Sequence, residues 1–183
     1  MAAPQDHLES LTGLRPLLSI MLLASSLAGC DDEPECHVGA TFSGYFEGRG
    51  DWSPTSRENC GFADTAVLAP GTSAFAFIEQ DGEARESVYV LIEQPTIEAG
   101  THLGRMLYAY TGDVWASAPG SCTVALTRFV REEWTKTDFI DFEGTVSCPD
   151  PLIPVSPELP EISMTEIEFD GHVHAEVLTY TFP

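Results

Sequence analysis

Cys122-Thr123-Val124-Ala125-Leu126-Thr127-Arg128-Phe129-Val130 and, after a short break, Asp138-Phe139-Ile140-Asp141-Phe142-Glu143-Gly144-Thr145-Val146-Ser147-Cys148 are the two runs that decide the fold. Apolar and polar residues alternate along both, the period of a strand with one buried face. Folding the segment back on itself about Thr135 tests this reading, because a slip of one residue would turn every side chain to the wrong face. In that antiparallel register Cys122, Val124, Leu126 and Val130 lie opposite Cys148, Val146, Gly144 and Ile140, while Thr123, Ala125 and Thr127 lie opposite Ser147, Thr145 and Glu143. Two pairs break the pattern, Arg128 with Phe142 and Phe129 with Asp141. The register sets Cys122 directly against Cys148, at a separation that suits a cross-strand disulfide.

The same signals recur on either side. Short apolar or alternating runs are separated by Gly, Pro, Asp and Ser clusters, and no stretch carries apolar residues at helical spacing. Strands are expected over residues 37–46, 62–68, 72–80, 87–93, 103–111, 121–130, 138–147, 163–169 and 172–182. Asp81-Gly82, Ala99-Gly100, Gly112-Asp113 and Pro119-Gly120 supply turns between them. For the last pair, a three-residue loop Asp170-Gly171-His172 with a left-handed Gly171 keeps Ile167, Phe169 and Val173 on one face. Gly48-Arg49-Gly50-Asp51 reads as a turn leaving the first strand, and its Arg-Gly-Asp tripeptide is too short to signal an adhesin. Pro149, Pro151, Pro154, Pro157 and Pro160 make residues 149–160 a stiff connector, since proline removes ladder donors. The segment from Glu161 to Pro183 is too small to fold alone and should dock on the main sheet. Residues 36–183 therefore read as a single all-β domain, a disulfide-stapled antiparallel β-sandwich of eight or nine strands, with a small closed β-barrel as the alternative.

Ahead of this domain lies a different composition. The apolar run from Leu17 to Leu27 follows Arg15 and is soon followed by Asp31-Asp32-Glu33. It is shorter than the roughly 20 apolar residues a membrane-spanning helix needs, and has the layout of an export signal. Leu27-Ala28-Gly29-Cys30 at its end resembles the lipobox of bacterial lipoproteins. That resemblance implies a signal peptide over residues 1–29, a diacylglyceryl and palmitate anchor on Cys30, and a place in the bacterial cell envelope, on the inner or the outer membrane. Asp6 and Glu9 depart from the usual positively charged start of such signals. Cysteine arithmetic agrees with the anchor: of five cysteines, assigning Cys30 to lipid leaves an even four, which an oxidising compartment would pair. Cys122 with Cys148 is the preferred bridge, and Cys36 with Cys60 follows by elimination. Residues 30–35 form an acidic tether, whose fully extended reach to Cys36 is at most about 20 Å, so the domain must sit near the bilayer.

The chain carries 29 Asp and Glu against 8 Lys and Arg, a net charge of −21. Such a surface repels nucleic acid and anionic headgroups. It gives solubility, or attracts a cation or a basic partner. His172, His174 and Glu176 alternate along the final expected strand, so they project from one face and can share a divalent metal. The opposite-facing Val173, Ala175 and Val177 make the same pattern what an amphipathic edge strand would show, and His37 or His102 would have to complete the site. Trp115 and Trp134 fall in expected connections, where indoles serve as ligand platforms or cap the core. No Gly-x-Ser-x-Gly, His-Glu-x-x-His, Cys-x-x-Cys or phosphate-binding glycine loop is present. The expectation is a non-enzymatic binding or structural module with no cofactor, meeting an envelope protein or glycan. The alternative is a metal-dependent enzyme centred on His172, His174 and Glu176.

Overall fold

In the computed structural model, which describes residues 35–54, 59–63, 71–94, 97–133 and 138–174, these described residues form eleven strands and no helix. They are β1 (Glu35–Gly44), β2 (Gly48–Trp52), β3 (Cys60–Ala63), β4 (Ser73–Asp81), β5 (Ala84–Ile92), β6 (Gly100–Tyr110), β7 (Asp113–Ala116), β8 (Cys122–Glu133), β9 (Asp138–Ser147), β10 (Ile153–Pro154) and β11 (Ile162–His174). All pair antiparallel in one sheet, in the order β2-β1-β11-β9-β8-β6-β5-β4-β3, with β7 on β6 and β10 on β7. The expected all-β, disulfide-stapled antiparallel architecture is present, as a half-barrel between sandwich and closed barrel: one sheet curls until its halves face each other. Rings from β4 meet rings from β9 and β11 across the interior, with Phe75 4.6 Å from Phe142 and 5.2 Å from Phe169. Burying each such ring contributes roughly 1.5–3 kcal/mol. The disulfide Cys36–Cys60 ties β1 to β3, and Cys122–Cys148 closes the β8–β9 pair, as the sequence led us to expect.

The β8–β9 register holds from Thr123 opposite Ser147 to Leu126 opposite Gly144, then shifts by one residue at Thr127. This bulge repairs the two mismatched pairs of the straight register. Arg128 now opposes Glu143, and Phe129 opposes Phe142, so charge pairs with charge and ring with ring. A second irregularity sits where β1 meets β11, between Gly39 and Thr41, and Glu166 there takes a positive φ of 52°. It moves the inward-facing positions of β11 from Ile162 and Met164 to Ile167, Phe169 and Val173, all buried.

Four expectations are corrected. Residues 162–174 form one continuous strand, so the Asp170-Gly171-His172 hairpin loop does not exist. Gly171 is there for close packing: a Cβ would lie 2.7 Å from the Phe142 ring and 2.8 Å from the Cys36 sulfur. That strand is central, between β1 and β9, and not an edge. Residues 48–52 are not a turn but the strand β2, which is held by β1 and buries Trp52 against Phe42. Trp115 stands on strand β7, fully buried, and is no ligand platform. Its indole nitrogen donates to the Pro160 carbonyl at 2.9 Å, so the proline-rich connector is clamped to the body. Ile153 and Pro154 add a short ladder to β7. Trp115 belongs to an aromatic group with Phe42, Phe46 and Tyr108 at one end of the core. Burial there, reinforced by the Glu86 carboxylate and Tyr110, pushes the Tyr108 phenol well above its ordinary value.

Candidate functional site

Strands β1, β11, β9 and β8 lie side by side, and alternation sends every second side chain to the outer face. The observed registers align these outer residues in rows. Glu35 lies opposite His172, which lies opposite Asp141; in the next row His37, Asp170, Glu143 and Arg128 face one another in turn. Glu168 opposes Thr145 in a third row. Together they line an open groove of about 500 Å³, whose floor is the paired backbone. Five carboxylates, those of Glu35, Asp141, Glu143, Glu168 and Asp170, border it against the single guanidinium of Arg128. A second groove of about 540 Å³ shares Thr145 and Glu168 with the first and reaches Arg49.

Both histidines of the groove are held by carboxylates. The Nδ1 of His172 lies 2.5 Å from Asp141 Oδ1, while Arg128 donates to the other oxygen of Asp141 at 2.7 Å. The His172 ring also stacks on Phe139, with centroids 5.1 Å apart and planes at 19°. His37 is bracketed by Asp170, 3.4 Å from Nδ1, and by Asp51, 3.5 Å from Nε2. The groove therefore presents oriented imidazoles inside a field of negative charge. The Arg128–Asp141 pair is solvent-exposed on the arginine side and adds little stability by itself. Its effect is to fix the Asp141 carboxylate between two donors, which in turn fixes the His172 ring.

Of the residues singled out from sequence, His172 projects into this groove, and His37 shares its face. His102 does not: it is buried on the inner face, with its ring nitrogens 2.8 Å from the Glu98 carbonyl and 3.2 Å from the Gln94 side chain, where it fastens a loop. The His174 side chain, Glu176, Trp134 and the leader through Cys30 lie outside the described residues. Among the described residues no group of three or more His, Cys, Asp or Glu is arranged to hold a metal ion. Asp141, Glu143 and Asp170 were missed by the sequence reading. The signal that could have found them is the polar phase of β9 and β11, but joining the two needs a strand pairing about 30 residues apart in the chain, as between Asp141 and His172. No protein-family model, curated protein or solved structure matches this chain.

Proposed function

We propose that this chain is a lipid-anchored envelope protein whose β domain is a non-enzymatic binding module, and that its acidic groove takes a cationic segment of a partner protein. The observation that carries this reading is the alignment of five carboxylates on neighbouring strands around an open groove with one guanidinium. A cationic chain laid across them gains Coulomb attraction from several carboxylates at once, and the overall charge of −21 steers it there. A rigid sheet supports these side chains, so little ordering is required on binding.

Calorimetric titration with an oligolysine peptide tests the groove. The protein is expected to bind at low salt, and affinity should fall as ionic strength rises. Reversing two lining charges together, Glu143→Lys with Glu168→Lys, is expected to weaken binding by about tenfold or more. Equal affinity for both proteins would remove the groove from the account. The anchor is tested separately by membrane fractionation, in which the unaltered chain sediments with membranes and Cys30→Ala is released; a variant that stays on the membrane contradicts lipidation at that residue.

One observation favours a second reading. The Asp141 carboxylate takes Nδ1 of His172, so that Nε2 is the nitrogen left to ligate, the arrangement that commonly orients a metal-binding imidazole. With His174 and Glu176 it would form the metal-dependent alternative. Zinc calorimetry decides this: heat that disappears in the His172→Ala, His174→Ala double variant supports it, and no heat dismisses it.

A further inference from the structure

The sheet has an open end at β2, whose only strand partner among the described residues is β1. Such an edge offers unpaired N–H and C=O groups to another strand unless charge or geometry forbids it. Here the charge invites one particular strand. Around Gly50 the sequence reads Gly48-Arg49-Gly50-Asp51-Trp52, with Arg49 and Asp51 both on the outer face. Two copies of β2 set antiparallel about Gly50 would bring Arg49 of each opposite Asp51 of the other. Both pairs are oppositely charged, and both fall on one face. No other register centred on this strand matches both charges.

We propose that β2 is a homodimerisation edge, along which two copies of this chain join their sheets through reciprocal Arg49–Asp51 pairs. The side chains are available: Arg49 and Asp51 are 52 % and 53 % exposed, and they already lie 3.3 Å apart within one strand. In the dimer Arg49 gains a second carboxylate, and Asp51, which also meets His37 within its own copy, gains a second guanidinium, so a single pair becomes a square of four alternating charges. The symmetry is closed, because a two-fold axis through the Gly50 pair uses the same patch on both copies and leaves neither β2 edge open to a third. That axis runs normal to the local sheet, so the outer faces of the two copies lie on the same side. The two acidic grooves then flank the join on one continuous surface. Dimerisation stands apart from the ligand reading, since it requires nothing to bind the groove.

Sedimentation equilibrium on the full chain in detergent buffer tests the edge. The unaltered protein is expected to show a monomer–dimer equilibrium. Arg49→Asp and Asp51→Arg, each leaving two like-charged pairs, should weaken it by about tenfold or more. Mixing these two variants in equal amounts should restore the dimer, as should the swapped double variant that carries both changes. Because both side chains point to solvent, far-ultraviolet dichroism of each variant should match the unaltered protein. Gly50 is left alone, since a side chain there would strike the Trp52 ring. A purely monomeric unaltered protein, single variants that dimerise as tightly as it does, or a mixture that regains nothing would each overturn the proposal.

Discussion

Replacing Trp115 by alanine is expected to destabilise the domain by about 3–5 kcal/mol, among the largest losses any single substitution here can cause. The indole is fully buried, and its ring packs at 5.4 Å from Phe46 and 5.9 Å from Tyr108. Truncation therefore empties a volume that packed neighbouring rings cannot collapse to fill. It also removes the donor that the Pro160 carbonyl accepts from, which frees the proline-rich connector at the point where it turns into β11. Denaturant unfolding followed by dichroism measures the loss. A change below about 1 kcal/mol, the scale of an ordinary surface substitution, would mean that Trp115 is not the clamp described.

Removing the Cys122–Cys148 bridge is expected to cost about 3.5 kcal/mol in the chain-entropy view, because the bond closes a loop of 26 residues in the unfolded chain. The double variant Cys122→Ser, Cys148→Ser is the measurement of choice, compared with the oxidised protein at several denaturant concentrations. The bridge joins strands that are already neighbours, so the folded sheet should survive its loss with the same dichroism. The Cys36–Cys60 bond has a different role. It links β3, at one end of the curled sheet, to β1, the strand next to the other end, and these two strands share no ladder of their own. Its removal should loosen the curl more than the local pairing.

How much of this was legible beforehand depends on distance along the chain. The β8–β9 pairing could be derived because both strands and their turn are local, and alternation alone sets the register as far as Leu126. The bulge at Thr127 was visible only as two bad pairs, Arg128 with Phe142 and Phe129 with Asp141. A straight ladder cannot absorb an extra residue, and the misfit was the trace of one. Gly171 misled for a related reason. Asp-Gly is a strong turn signal, but this glycine makes room for Phe142 and Cys36, neighbours that no local reading supplies. Of the short strands, β2 was likewise lost to its glycines and β7 to its length. Trp115 was placed in a connection because its strand is only four residues long.

The groove obeys the same rule. His172 was found because it alternates with Val173 along one strand, whereas its partner Asp141 lies on another. The rows of carboxylates exist only once β1, β11, β9 and β8 are laid side by side. Sequence showed the excess of acid but not where it concentrates, since charge alternates with burial on nearly every strand.

The claim on which the functional account turns is that the outer face of β11 and β9 is where a cationic partner lies, and nuclear magnetic resonance mapping tests it most directly. Titrating oligolysine into the isotopically labelled protein should shift the backbone amides of Asp141, Glu143, Glu168, Asp170 and His172 together, with the shifts reversed by added salt. Shifts confined to β4 and β5 across the half-barrel, or none at all at concentrations where calorimetry detects binding, would contradict it.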